Sequence, residues 1–227
     1  MISESNTTGR TFAIGDVHGC DVALENLLSQ IAPSKNDTVV FLGDLVDRGP
    51  DPKKVVQRIM DLRDQCKVIL VMGNHEEMMR GSLEGTYMLA QWLHFGGQTT
   101  LGSYGEMTEI PSAHLRFLFS GCDFYETEDH VFIHASLEPG VSMANQTKEF
   151  FRWKHLAGSE RPLESGKRVI CGHTAQKDGK PWCFDGWVCI DTSAYHKGWL
   201  SALDVKTNHV YQANQASEKR DFPLDDS

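Results

Sequence analysis

Residues 67–77 read KVILVMGNHEE. The β-branched stretch Val68–Val71 stops at Gly73, and Asn74 and His75 follow at once with acids behind them. A chain that leaves a buried strand and immediately sets an amide beside an imidazole is making either a turn or a site. Two earlier stretches do the same. TFAIGDVHG at 11–19 and TVVFLGDLVDRG at 38–49 each run from a short apolar segment into a glycine followed by an acid. Between these corners lie helical patterns. Val22, Leu24, Leu27, Leu28 and Ile31 share one face of the first; Val55, Val56, Ile59, Met60 and Leu62 share one face of the second. Strand, helix, strand, helix, strand is the signature of parallel βαβ units. Ligands in such sheets gather beyond the carboxyl ends of the strands, where all three corners lie.

The remainder is mixed. GTYMLAQWLHF and IPSAHLRFLFSG carry helix-spaced apolar faces, and GGQTTLGSYG between them reads as a loop. HVFIHA and KRVICGHT are strands ending at His134 and His173. PWCF, WVCID, WLSALDV and HVYQA then read as a hairpin-rich sheet. No linker divides the chain, so one domain is expected over residues 1–227, with a core at 12–212 and a loose polar tail at 213–227.

Composition narrows the class. The chain has 227 residues and is 40% hydrophobic, enough for a core without disulfides. A net charge of −9 argues against nucleic acid and anionic membrane as partners. The six cysteines show no CxxC pair and read as reduced, mostly buried thiols. The start, MISESNTTGR, has no apolar leader segment, and no run reaches membrane-span length, so a cytoplasmic location is expected.

The polar residues just past strand ends are Asp16, His18, Asp44, Asp47, Arg48, Asn74, His75, His134 and His173. Carboxylates with imidazoles and no thiolate suit Mn²⁺, Fe or Zn²⁺, and Mg²⁺ less well. Six candidate ligands exceed the needs of one tetrahedral ion but suffice for two ions sharing a carboxylate, roughly 3.5–4 Å apart. Any one corner could instead be turn chemistry with an aspartate capping the next helix. Three corners and two further histidines together are not explained that way.

GDVHG at 15–19, GDLVDRG at 43–49 and GNHE at 73–76, with FIHASLEPG and CGHT, resemble the signature motifs of the phosphoprotein phosphatases, within the calcineurin-like metallophosphoesterases. WLHFGGQTTLGSYG at 92–105 is similar to a segment of the short bacterial and phage branch, to which the bacteriophage lambda protein phosphatase belongs. The resemblance spans about residues 12 to 204. It implies a four-layer αββα sandwich of mixed sheets with a dinuclear metal site, Mn²⁺ being the best match. By that resemblance Asp16 and His18 bind one metal, Asp44 bridges, and Asn74, His134 and His173 complete the other. His75 is then the general acid, oriented by Asp47. Arg48 grips the phosphate with Arg152, for which Arg161 and Arg168 are alternatives, and Asn74 also faces it.

The reaction so implied is in-line hydrolysis of a phosphomonoester by metal-bound hydroxide, most simply on phosphoserine or phosphothreonine in a protein or peptide, with phosphotyrosine also open. No obligatory regulatory subunit is implied, since the SAPNYC segment of the long eukaryotic enzymes has no counterpart. Symmetrical diadenosine tetraphosphate hydrolases share all five motifs and are the alternative. A catalytically silent metal-binding module is the remote one. His94, His114, His130, His155, His196 and His209 read as surface or packed residues, and Asp191 as part of a hairpin turn.

Overall fold

The computed structural model describes residues 9–225. Residues 1–8, which carry most of the MISESNTTGR stretch, and 226–227 at the end of the tail lie outside them. The strands are β1 (Thr11–Ile14), β2 (Thr38–Phe41), β3 (Lys67–Leu70), β4 (Phe124–Glu126), β5 (His130–Ile133), β6 (Arg168–Cys171), β7 (Trp182–Phe184), β8 (Trp187–Cys189), β9 (Leu200–Asp204), β10 (His209–Ala213) and β11 (Lys219–Pro223). The α-helices are α1 (Asp21–Ile31), α2 (Pro52–Leu62), α3 (Asn74–Glu84), α4 (Leu89–Trp92), α5 (Gln98–Tyr104), α6 (Ser112–Leu118) and α7 (Lys148–Trp153).

These strands form two mixed sheets. One has the order β11-β10-β9-β1-β2-β3, the other β4-β5-β6-β8-β7. In the first, β1, β2 and β3 run parallel, with Ile14 opposite Phe41 and Phe41 opposite Leu70, so their carboxyl ends lie level. In the second, β5, β6 and β8 are parallel, with Phe132 opposite Ile170 and Ile170 opposite Val188. The parallel βαβ start and the antiparallel end predicted from the sequence are both present.

The core divides by layer. Alternate residues of the strands, including Ala13, Val40, Phe132, Ile170 and Val188, pack between the sheets. The other face of the first sheet packs on α1 and α2 through Phe12, Phe41, Leu24, Leu27, Val56 and Ile59. The outer face of the second sheet is covered by Phe151 of α7 and by Leu137 and Leu156. At the start of α2 Pro52 opens the helix and the Asp51 side chain accepts Lys54 N–H at 3.0 Å. No described helix is long and apolar enough to cross a membrane. Cysteines 20, 66, 171 and 189 are buried, Cys183 is half-buried and Cys122 is exposed, and none of these six forms a disulfide.

Two expectations need correction. GGQTTLGSYG is not a loop. Residues 93–97 form one π-helical turn broken at Gly96, whose φ is 117°, and α5 follows directly, burying Thr100 and Tyr104. Gly97 lies flat against the Trp92 ring, so the glycines serve packing here. The tail is not loose through 223. Strand β11 pairs along β10 from Lys219 to Pro223. Arg220 lies over the Trp199 ring at 4.1 Å and donates to Gln212 Oε1 at 2.6 Å and to Gly179 O at 2.7 Å.

Candidate metal centre

Every functional side chain predicted from the three corners and the two histidines lies just past a parallel strand. Asp16 and His18 follow β1; Asp44, Asp47 and Arg48 follow β2; Asn74 and His75 open α3 after β3. His134 follows β5 and His173 follows β6. The two sheets meet here, since His134 Nδ1 donates to Leu42 O at 2.7 Å. The corners are strained. His18, Asp44, Asp47, Arg48 and His173 all have positive φ, between 43° and 69°. Such conformations cost on the order of 1–3 kcal/mol each and persist only where the surroundings over-determine them.

Asp44 and Glu76 supply that determination. Asp44 O accepts Val17 N–H at 3.1 Å and His18 N–H at 2.8 Å, tying the first corner to the second. The Glu76 carboxylate accepts Asp44 N–H at 2.9 Å, Leu45 N–H at 2.7 Å and Gly73 N–H at 3.1 Å, tying the second to the third. These corners approach so closely that a Cβ on Gly43, whose φ is 100°, would meet Gly73 N at 2.6 Å. Glu76 is a functional residue that sequence reasoning missed. Its one signal was the position three residues into α3, where a glutamate turns back to cap the helix start.

The donor atoms converge on Asp44. Its carboxylate is 3.5 Å from His18 Nε2 and 3.5 Å from His134 Nε2. Two overlapping donor groups share it, one with His18 and His75, the other with His134 and His173. Tautomers follow from the hydrogen bonds. His18 Nδ1 donates to Val46 O at 2.9 Å and His134 Nδ1 to Leu42 O, so each presents an Nε2 lone pair inward. Asn74 Oδ1, another acceptor, stands 3.0 Å from His134 Nε2. His173 donates from Nε2 to Trp153 O at 3.1 Å, which leaves Nδ1 as its lone-pair nitrogen. Acceptors facing acceptors in a buried site call for positive charge between them.

Electrostatics say the same. Burial, then the charges of Asp191 and Asp44, push the Asp16 pKa well above the usual carboxylate range. Burial alone would raise that of Asp44, but His134, His75, His18 and His173 around it hold it well below. Burial depresses the His18, His134 and His173 imidazoles, the last to about 3, keeping their lone pairs free. Among these site histidines His75 alone is pushed up: burial opposes its charge, but Asp44 and the hydrogen bond to Asp47 outweigh it. The buried acceptors therefore fit divalent cations, with Asp44 common to the two donor groups; Asp16, whose carboxylate accepts His173 N–H at 3.1 Å, is in neither group and lies beside them with Asn74.

His75 is built differently. Its Nδ1 is 2.7 Å from Asp47 Oδ2, and its buried Nε2 has no hydrogen-bond partner. Asp47 also accepts from Trp92 Nε1 at 2.9 Å and from Thr100 Oγ1 at 2.5 Å, which fixes the carboxylate and so the ring. Trp92 and Thr100 come from the segment read partly as a loop.

Arg48 projects into the site, with NH1 3.0 Å from His18 Nε2 and the guanidinium 4.8 Å from the centre of the Tyr195 ring. Tyr195 also meets the His18 ring edge-on at 5.0 Å. Ser193 and Lys197 on either side of it have positive φ, as the motif corners do. Asp191, read as a turn residue, does accept Ser193 N–H at 3.0 Å, but it is buried beside Asp16. Burial pushes its pKa up to about 6. His196 stacks on Tyr195 yet stays exposed, and His155 stacks on His173 at 4.4 Å.

Arg152 is buried near His134, but its charge is engaged: NH1 is 3.3 Å from Glu77 and NH2 is hydrogen-bonded to Asp123. The alternatives lie elsewhere. Arg168 begins β6, at the end of that strand opposite His173. Arg161 lines a cavity with Leu137, Met143 and Trp187 on the outer side of the second sheet.

The calcineurin-like phosphoesterase family matches residues 9–210, and the chain belongs to it. Members hold divalent metals in a dinuclear site. The asymmetrical bis(5′-nucleosyl)-tetraphosphatase PrpE of Anoxybacillus flavithermus is 27% identical over 220 residues, 84% of this chain and 88% of that one. A symmetrical bis(5′-nucleosyl)-tetraphosphatase of an Acidovorax species is 42% identical over 77 residues, a third of this chain (33%) and 26% of that one. A solved structure provisionally assigned as a diadenosine tetraphosphatase superposes with a TM-score of 0.67 at 22% identity, covering 98% of this chain and 96% of that chain.

Proposed function

We propose that this calcineurin-like phosphoesterase hydrolyses dinucleoside tetraphosphates with two divalent cations held by Asp16, His18, Asp44, Asn74, His134 and His173. The observation carrying the metal-dependent part is Asp44, shared by two groups of donors that are buried but for the half-buried His173. The substrate rests on the near full-length likeness to a bis(5′-nucleosyl)-tetraphosphatase. The phosphoprotein expectation gives way to this alternative. Its five motifs act on the phosphoryl group itself, which both substrate classes present, so they never favoured one class over the other.

Two cations at such a centre neutralise the phosphoryl oxygens and supply a nucleophile from water at neutral pH. Mn²⁺ suits the mixed carboxylate and imidazole set best. The chain does the rest. Arg48, backed by Tyr195, offers its N–H groups to the phosphoryl oxygens. Asn74 lies beside the same oxygens. His75, aimed by Asp47, donates a proton from Nε2 to the departing oxygen. The anionic surface disfavours nucleic acid and membrane, and the reading needs no regulatory subunit.

The test is one batch of Mn²⁺-loaded protein assayed on diadenosine tetraphosphate and on a panel of phosphoserine, phosphothreonine and phosphotyrosine peptides. Chromatography of the nucleotides separates symmetrical cleavage, two ADP, from asymmetrical cleavage, ATP and AMP. Turnover of peptides with the dinucleotide left intact would overturn the substrate assignment. Full turnover after exhaustive chelation would overturn the metal centre.

A further inference from the structure

The strongly exposed large apolar residues among the described positions are Met88, Leu89 and Phe95. Single exposed apolar side chains are ordinary; all of them gathered on one eight-residue segment are not. That segment is not a free loop. Within it, Trp92 is buried and donates to Asp47 at 2.9 Å. Just beyond it, Gly96 O accepts Arg48 N–H at 3.2 Å, and Thr99 Oγ1 donates to the same oxygen at 3.0 Å. Gly96 lies so close that a Cβ there would meet Arg48 Cγ at 2.8 Å. Phe95 therefore stands one residue from the backbone that fixes the phosphate-facing guanidinium. Its ring meets the edge of His94 at 5.6 Å and is 47% exposed.

An exposed aromatic face one residue from an oxyanion grip fits a ligand with a planar apolar part tethered to phosphate. We infer that Phe95, on the segment that also exposes Met88 and Leu89, is a stacking subsite for a nucleobase of the dinucleotide, and so a specificity-determining residue. This inference rests on the dinucleoside tetraphosphate reading above. A base has a π-face and tolerates any neighbour that offers one, so stacking here would select nucleotides without reading their sequence of edges. A phosphoserine or phosphothreonine peptide carries no planar group at a fixed reach from its phosphorus.

Three proteins decide it: wild type, Phe95→Ala and Phe95→Tyr, each Mn²⁺-loaded and assayed on diadenosine tetraphosphate, on β-glycerophosphate, which has no base, and on a phosphopeptide. Phe95→Ala is expected to raise KM for the dinucleotide about tenfold, within the range of one lost base stack, with kcat unchanged. β-Glycerophosphate kinetics should not move, and Phe95→Tyr should restore the wild-type KM. Wild-type turnover of the dinucleotide with an unaltered KM in Phe95→Ala overturns the subsite and leaves the function standing. A KM change confined to the phosphopeptide assigns the patch to peptide and overturns it too. A wild-type protein that leaves dinucleotides intact overturns both readings.

Discussion

The Glu76 carboxylate accepts the backbone N–H of Asp44 at 2.9 Å, from an element that begins thirty residues later in the chain. Through it the strained second corner is held against the third. Glu76→Ala leaves several buried N–H groups without their acceptor, and each such unsatisfied group costs about 1–3 kcal/mol. A loss of at least about 3 kcal/mol in unfolding free energy is expected, with metal content falling below that of wild type. Denaturant melts and metal analysis of the same sample check it; a wild-type melt would mean the corners hold themselves.

Asp44→Asn replaces the shared carboxylate with a neutral amide. Metal stoichiometry should fall from two ions to one or none, and activity with it, while Asp16→Asn should spare one ion. Elemental analysis after dialysis reads this directly. Two ions retained in Asp44→Asn would remove Asp44 from between them.

For His75→Asn the expected loss is about 10²–10⁴-fold in kcat on an alkyl phosphate, the range for one proton-transfer group. It should shrink on p-nitrophenyl phosphate and on diadenosine tetraphosphate, whose departing oxygens need little protonation. Asp47→Asn should follow the same ordering more mildly. Equal losses on all three would give His75 another task, such as holding metal.

Arg152 sits between Glu77 and Asp123, and both carboxylates are partly exposed. Arg152→Ala should cost about 1–2 kcal/mol of stability, through packing and two weakened pairs. Its KM should rise less than that of Arg48→Ala. The reverse order in steady-state kinetics would mean that phosphate displaces a carboxylate from Arg152.

Asp37 is buried and accepts Arg10 N–H at 2.7 Å and Arg10 NH2 at 2.7 Å. Burial alone would raise its pKa, but these bonds and those from Ser34 lower it to about 2. The folded value lies below the usual value of about 3.9, so this stabilisation is complete above about pH 5 and is lost as pH falls through 4 toward 2. Solvent around the half-exposed Arg10 leaves about 1–2 kcal/mol. Stability measured from pH 6 to 2.5 should fall by that much more in wild type than in Asp37→Asn. Parallel curves would place the acid sensitivity elsewhere.

What the sequence showed and what it hid have physical reasons. The glycine–acid corners were legible because a strand that ends in glycine and an acid violates the bland pattern of a strand turning into solvent, and did so repeatedly. Glu76 was not legible, because its main partners, Asp44 and Leu45, lie in another corner and no spacing within GNHE points there. Strand β11 was hidden by its own composition: KRDFP is an edge strand, polar by necessity, with Arg220 fastened to Trp199 only in three dimensions. Helix α5 was hidden by glycines that serve Trp92 and Arg48 rather than a turn. Tyr195 and Asp191 carry no motif, and only the left-handed Ser193 and Lys197 around them mark that turn as akin to the others. The substrate was not legible for a different reason, since the motifs describe the phosphorus and not what hangs from it.

His173 N–H reaches the Asp16 carboxylate across 157 positions of sequence. The parallel strands that bring them together form late, because each pairing must first close a long loop. A growing polypeptide that has emerged only through the GNHE corner holds acids and imidazoles without His134 or His173 to complete them. The site is thus complete only when both sheets have docked, and a chain that has emerged no further lacks two of the donors that face Asp44.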